Sequence, residues 1–242
     1  VPWLRGAPEI TGIAVLALHN VAVHRVVLSQ PGDTVLNLAT AGGLVMFARR
    51  AGCSAKDLGL SLDDAGAGMR FGVSAGVAVA AMMSLAAVWP VTRVLFTDVR
   101  ITEVPSSKAA YNVALRIPLA TALVEEALFR GALLGLVGRR RSPTIAVLQT
   151  SALFGAWHVL AAIDDYNANP ARVLFPDTPS GRLRAVLATT LATATAGVAL
   201  AWLRLGSGSL IAPITAHAAL NVSGYLATRS AKKQSPNFGP AS

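Results

Sequence analysis

The stretch Val124-Glu125-Glu126-Ala127-Leu128-Phe129-Arg130-Gly131 sits in the middle of an apolar run over roughly 111–137. Glu125 and Glu126 fall near the middle of that run, and at such depth in a bilayer an ionisable group costs about 2.5–3.5 kcal/mol on insertion scales. Two adjacent carboxylates at that depth point to function. On a regular helix Glu126 and Arg130 are at i,i+4, a spacing that favours a neutralising ion pair. Glu125 points about 100° away and has no such partner on its own helix.

The rest of the composition supports the bilayer. Of 242 residues, 53% are hydrophobic and only 14% charged, and mean hydropathy is +0.54. A soluble domain carries about a quarter charged residues, so this chain could not cover an aqueous surface. The formal net charge is +9. The basic residues lie in short clusters between apolar runs, which fits loops facing anionic lipid and argues against nucleic acid as partner. The single Cys53 excludes an intrachain disulfide and a cysteine-based zinc site.

Seven apolar segments are predicted as helices, roughly 10–28, 35–48, 71–96, 111–137, 143–163, 184–203 and 209–227. The expected fold is all-α, a polytopic transmembrane bundle of about seven or eight spans. Residues 1–228 form one domain, and 229–242 a polar tail. The second segment is short for a span, and is expected either to tilt or to extend back into Pro31-Gly32-Asp33. Runs such as Gly72-Val73-Ser74-Ala75-Gly76 and Ala192-Thr193-Ala194-Thr195-Ala196-Gly197 let membrane helices approach closely. No alternating ten-residue pattern of a transmembrane barrel occurs. Basic loops at 49–70 and 139–142 favour the cytoplasm. With seven spans, the tail carrying Arg229, Lys232 and Lys233 then lies outside, against the same rule.

Two further segments carry polar groups. The fifth contains Phe154-Gly155-Ala156-Trp157-His158, and the seventh contains His217-Ala218-Ala219-Leu220-Asn221, with His217 and Asn221 on one helical face. His19 and His24, in the first segment, read as packing residues. Three spans thus supply polar groups at comparable depth, and in a bilayer such groups need one another or water. One shared polar cavity is the economical solution. A carboxylate and an imidazole around a water make a general-base pair. A second imidazole and an amide can donate to an oxyanion. Ser151 precedes His158 by about two helical turns, but no Gly-x-Ser-x-Gly elbow occurs.

The ordered set Glu125-Glu126-x-x-x-Arg130, Phe154-x-x-x-His158 and His217-x-x-x-Asn221 resembles the CAAX-protease and bacteriocin-processing (CPBP, or Abi) intramembrane proteases, the type II CAAX endopeptidase-like group, over about residues 111–226. The resemblance implies a membrane endopeptidase. It implies a catalytic set of Glu125, Glu126, His158, His217 and Asn221, supported by Arg130 and Phe154. Glu125 would activate the water, His158 would help hold it, and His217 with Asn221 would form the oxyanion site. Glu126 and Arg130 would support the geometry. The family is also labelled metalloprotease. Zinc on Glu125, His158 and His217 is therefore the alternative to a cofactor-free, glutamate-type reaction, although no His-Glu-x-x-His occurs.

The expected substrate is a membrane-associated peptide or protein. The alanine-rich composition points to a bacterial inner (plasma) membrane. There, peptide maturation, bacteriocin immunity or cleavage of a regulatory membrane protein fits better than a prenylated substrate. Two other classes compete: a non-catalytic scaffold holding a partner through small-residue helix faces or the 164–182 loop, and a transporter using the carboxylates as a proton relay. The transporter would be supported by inverted repeats, and none is evident.

Overall fold

The computed structural model describes residues 8–26, 30–168 and 175–234. Among them are nine helices and no strand. They are α1 (Pro8–Arg25), α2 (Gln30–Arg50), the short α3 (Ala55–Leu58), α4 (Ala65–Val88), the short α5 (Val99–Thr102), α6 (106–138), α7 (Pro143–Ala168), α8 (Pro179–Ser207) and α9 (Ile211–Gln234). The second segment does extend back, with α2 starting at Gln30 and Pro31 in its first turn, where a missing N–H costs nothing. At the other end of the chain α9 continues through Arg229 to Gln234, and residues 235–242 of the expected tail lie outside the described residues. So does part of the 164–182 loop.

The chain is an all-α membrane protein. Three helical stretches, Leu62–Val88, Pro143–Ala168 and Pro179–Ser207, are long and apolar enough to cross a bilayer by length and composition. That is fewer than the seven or eight runs expected from the sequence. The other long helices carry their polar residues inside the run, such as His217 and Asn221 in α9 and Glu125, Glu126 and Arg130 in α6, and these lower the hydropathy. Two of them, Leu62–Val88 and Pro179–Ser207, bury little of their own length. Val77, Leu85, Leu187 and Leu191 point outward, as side chains solvated by lipid tails do.

α6 runs through the middle of the bundle. Its second half is buried on every side, with Leu128, Phe129, Ala132, Leu133, Leu136 and Val137 all in the main core. It is not a uniform α-helix. Wider π turns occupy Asn112–Leu123 and Ala127–Leu133, with α-helical Val124–Glu126 between them. Pro118 lies inside the first π stretch. Its ring and missing N–H break the regular i→i−4 ladder, and a widened turn accommodates it. The glutamate pair therefore sits on a short α-helical step between two wide turns, a setting common at functional sites.

Glycines set how closely the helices pack. Gly68, Gly72 and Gly76 form a buried stripe on α4. A Cβ on Gly72 would lie 2.9 Å from Thr215 Cβ and 3.0 Å from Ala212 Cα, and one on Gly76 would lie 3.2 Å from Ala219 Cβ. Similarly, a Cβ on Gly155 would lie 2.7 Å from the Thr190 carbonyl oxygen, so α7 lies against α8 through the Ala192–Gly197 region. These small-residue faces are used within the chain. Gly72→Leu is expected to lower stability by about 1–3 kcal/mol through overpacking. Gly42→Leu, with nothing within 4 Å of its Cβ position, is expected to stay within about 0.5 kcal/mol. Unfolding of both variants in a detergent titration checks the pair.

The two ends of the bundle differ. One end gathers residues 51–61, the turn at 139–142 and the α8–α9 turn. Arg139 donates to the Ala51 carbonyl, and the Leu210 amide donates to the Gly59 carbonyl. Buried Arg204 reaches across from α8 to cap α3, donating to the carbonyls of Lys56 at 2.7 Å and Asp57 at 3.0 Å. Gly59, at φ +71°, makes room for that guanidinium, which a Cβ would overlap. At this end Cys53 is buried, and burial pushes its thiol up, so it stays protonated and unreactive. The far end is laced by His24–Asp164 at 2.8 Å, by Arg100 paired with Asp98 and Asp165, and by Arg229 donating to the carbonyls of Ile101 and Val104.

Candidate active site

Glu126 is fully buried, and its Oε1 is shared. The Arg130 guanidinium donates to it at 3.1 Å from one helical turn along α6. His217 Nδ1 reaches it at 2.7 Å from α9. The i,i+4 ion pair expected from spacing is therefore present, and a second partner comes from another helix. Arg130 and Glu126 have side-chain exposures of 1% and 0%, a burial that an ion pair tolerates only with further hydrogen bonding. Phe154 supplies part of the cover. Its ring centroid lies 4.0 Å from Arg130 Cζ, a cation–π distance. Gly197 on α8 closes the other side, since a Cβ there would lie 3.2 Å from Arg130 Nη2 and 3.2 Å from Ser151 Cβ. Ser151 is buried in this packing.

Glu125 faces the opposite way, toward both imidazoles. His158 Nε2 and His217 Nε2 each lie 3.9 Å from the same atom, Glu125 Oε2. That oxygen is buried and has no hydrogen-bond partner among the described residues. The protonation of His158 follows from its other nitrogen. Nδ1 lies 2.8 Å from the Phe154 carbonyl oxygen, which can only accept, so Nδ1 carries a proton and Nε2 is the nitrogen turned toward Glu125. Phe154 locks the rings, standing edge-on to His158 at 4.6 Å and to His217 at 6.2 Å.

Three helices thus bring six of the seven sequence-predicted residues together: Glu125, Glu126, Arg130, Phe154, His158 and His217. Asn221 is placed on the His217 face of α9, half-buried one turn further on, without a hydrogen bond to the cluster among the described residues. As for metal, among the described residues no group of three or more His, Cys, Asp or Glu side chains could hold an ion. The 3.9 Å separations are about 0.5 Å wider than the edge of about 3.4 Å implied by tetrahedral bonds near 2.1 Å.

A ring of support around the cluster was not singled out from the sequence. Phe129 stands edge-on to Phe154 at 5.0 Å and to Trp157 at 5.4 Å. His19 of α1 stacks on Trp157 at 5.6 Å and bonds Thr40 at 3.0 Å. Asn20 donates to the Trp157 carbonyl at 3.0 Å. His19 and His24 therefore have partners within the fold, as the packing reading expects. The signal for Asn20 was its polarity inside an apolar run, the same cost that marks Glu125.

The family model described as "Rce1-like: Type II CAAX prenyl endopeptidase Rce1-like" matches residues 108–223. No curated protein and no solved structure matches the chain. The matched segment contains Glu125, Glu126, Arg130, Phe154, His158, His217 and Asn221, and over it the chain is similar to the Rce1-like family of type II CAAX prenyl endopeptidases.

Proposed function

We propose that this protein is an intramembrane endopeptidase of the glutamate type, cutting a membrane-associated peptide or protein by direct attack of water. The observation that carries the reading is the convergence of two imidazole Nε2 atoms on Glu125 Oε2, at 3.9 Å each. That separation is too long for a hydrogen bond and suits groups that share a water. A water in this notch gives one hydrogen to Glu125 and one to the His158 Nε2 lone pair, leaving its own lone pair for a scissile carbonyl.

Charge balance assigns the other partners. Glu125 and Glu126 bring two negative charges, and Arg130 brings one positive. An imidazolium at His217 makes the buried set neutral, which lowers the cost of holding it in a low dielectric. It then donates Nδ1–H to Glu126 and keeps Nε2–H for the oxygen of the tetrahedral intermediate. Asn221 is the second donor to that oxyanion, reached when substrate is bound. Glu125 takes the proton of the attacking water and returns it to the departing amine. A bacterial inner membrane is the proposed location.

The test is turnover of a membrane-anchored peptide reporter by the protein reconstituted in vesicles. Cleavage is expected to persist after chelation and dialysis, with well under one zinc per chain by elemental analysis. Loss of cleavage on chelation, restored by added zinc, would refute the metal-independent reading.

A further inference from the structure

We propose that the groove between α1 and α7 binds an anionic glycerophospholipid of the phosphatidylglycerol type, headgroup beside Arg140 and Arg141 and acyl chain running inward to Asn20. Two cavities lie along this seam. One, of about 440 Å³, is lined by Glu9, Arg141 and Gln149 at its polar end and by Ile10, Ile13 and Leu153 deeper in. The other, of about 150 Å³, continues inward past Leu16, Ala17 and Ala156 to Asn20, Phe129 and Trp157. Ile13 and Leu153 line both, so the two cavities adjoin along the seam.

Its length matches one leaflet. Glu9 to Asn20 is about 16 Å of helical rise, against about 15 Å for half of a 30 Å hydrocarbon core. Its chemistry matches an amphiphile with charge at one end. The turn Arg139-Arg140-Arg141 outnumbers Glu9, whose Oε1 takes Arg140 at 3.4 Å. Arg139 is turned to the Ala51 carbonyl, while Arg141 lines the cavity itself. A phosphate between Arg140 and Arg141 meets two guanidiniums. Glu9 Oε2 is buried and has no partner among the described residues, and an acceptor there fits a headgroup hydroxyl. Between these polar groups and Asn20 the lining is aliphatic and aromatic. The chain end would rest on Phe129 and Trp157, one ring from Phe154. This binding stands whether or not the peptidase reading does.

The experiment uses the full chain in vesicles carrying photoactivatable phospholipids with the reactive group on the acyl chain. Phosphatidylglycerol, phosphatidylethanolamine and phosphatidylcholine probes share that chain, and labelled peptides are mapped by mass spectrometry. The phosphatidylglycerol probe is expected to label α1 and α7 along the groove most strongly. R140Q/R141Q is expected to reduce groove labelling roughly tenfold to thirtyfold, from about 1 kcal/mol per basic residue near the surface. A17W/A156W, two exposed positions, is expected to block the groove while labelling of the outer face of α4 stays unchanged. Three results would overturn the proposal: equal groove labelling by phosphatidylcholine, a preference for phosphatidylethanolamine, or full labelling in both double variants. Protection of the groove by an added hydrophobic peptide, and not by phosphatidylglycerol, would assign it to a protein partner instead.

Discussion

Glu125→Gln is expected to abolish peptide cleavage, by at least about 10²–10⁴-fold, the range for loss of a positioned general base. The substitution keeps the size and removes only the charge and the basicity. Glu125 Oε2 makes no hydrogen bond in the fold and approaches the two imidazoles only at 3.9 Å, so little structure depends on it. Yield, monodispersity and unfolding midpoint are therefore expected to stay at wild-type values. This separation of activity from stability distinguishes a water-activating carboxylate from one that ties helices together. Retained turnover in the variant would sink the mechanism. A folding defect as large as that of Arg130 variants would assign Glu125 a structural role.

Arg130→Met is expected to do the reverse, costing stability first. It leaves the fully buried Glu126 carboxylate with only His217, and breaking one side of a buried pair costs about 3–5 kcal/mol. Phe154 loses its cation–π partner at 4.0 Å in the same step, which adds to the loss. The double variant Glu126→Gln, Arg130→Met removes both charges and is expected to recover part of that stability. A cycle of the two single variants and the double, followed by unfolding in detergent, measures the coupling. Additive single effects would show that the pair does not hold the site. Activity is expected to stay low in the double variant, because His217 no longer has a carboxylate to hold its ring.

The sequence showed that Glu125 and Glu126 differ, since only Glu126 has Arg130 at i,i+4. It could not show that Glu126 also takes His217, a contact spanning 91 positions. Nor could spacing reveal that His158 Nδ1 is committed to the Phe154 carbonyl, which leaves Nε2 as the nitrogen facing Glu125. The π turns on both sides of Val124–Glu126 also escape a reading based on regular helical periodicity. They follow from Pro118 and from packing on every side of α6. His19 and Asn20 had the same signal as Glu125 and Glu126, a polar group in an apolar run, but that signal does not say which helix supplies the partner.

Taken alone, the sequence determined the environment and the parts. Apolar runs with few charges require lipid as solvent, and carboxylates and imidazoles in three such runs require one another, because a bilayer offers no other partner. The tertiary structure alone decided the pairing. The glycine stripe of α4 sets the distance to α9, and α9 carries His217 to Glu126 rather than to Glu125. That leaves Glu125 Oε2 without a hydrogen-bond partner among the described residues, facing Nε2 of His158. Which of two adjacent glutamates is held by hydrogen bonds and which is left without them depends on helix-to-helix distances of a few ångströms, and no local pattern of residues encodes them.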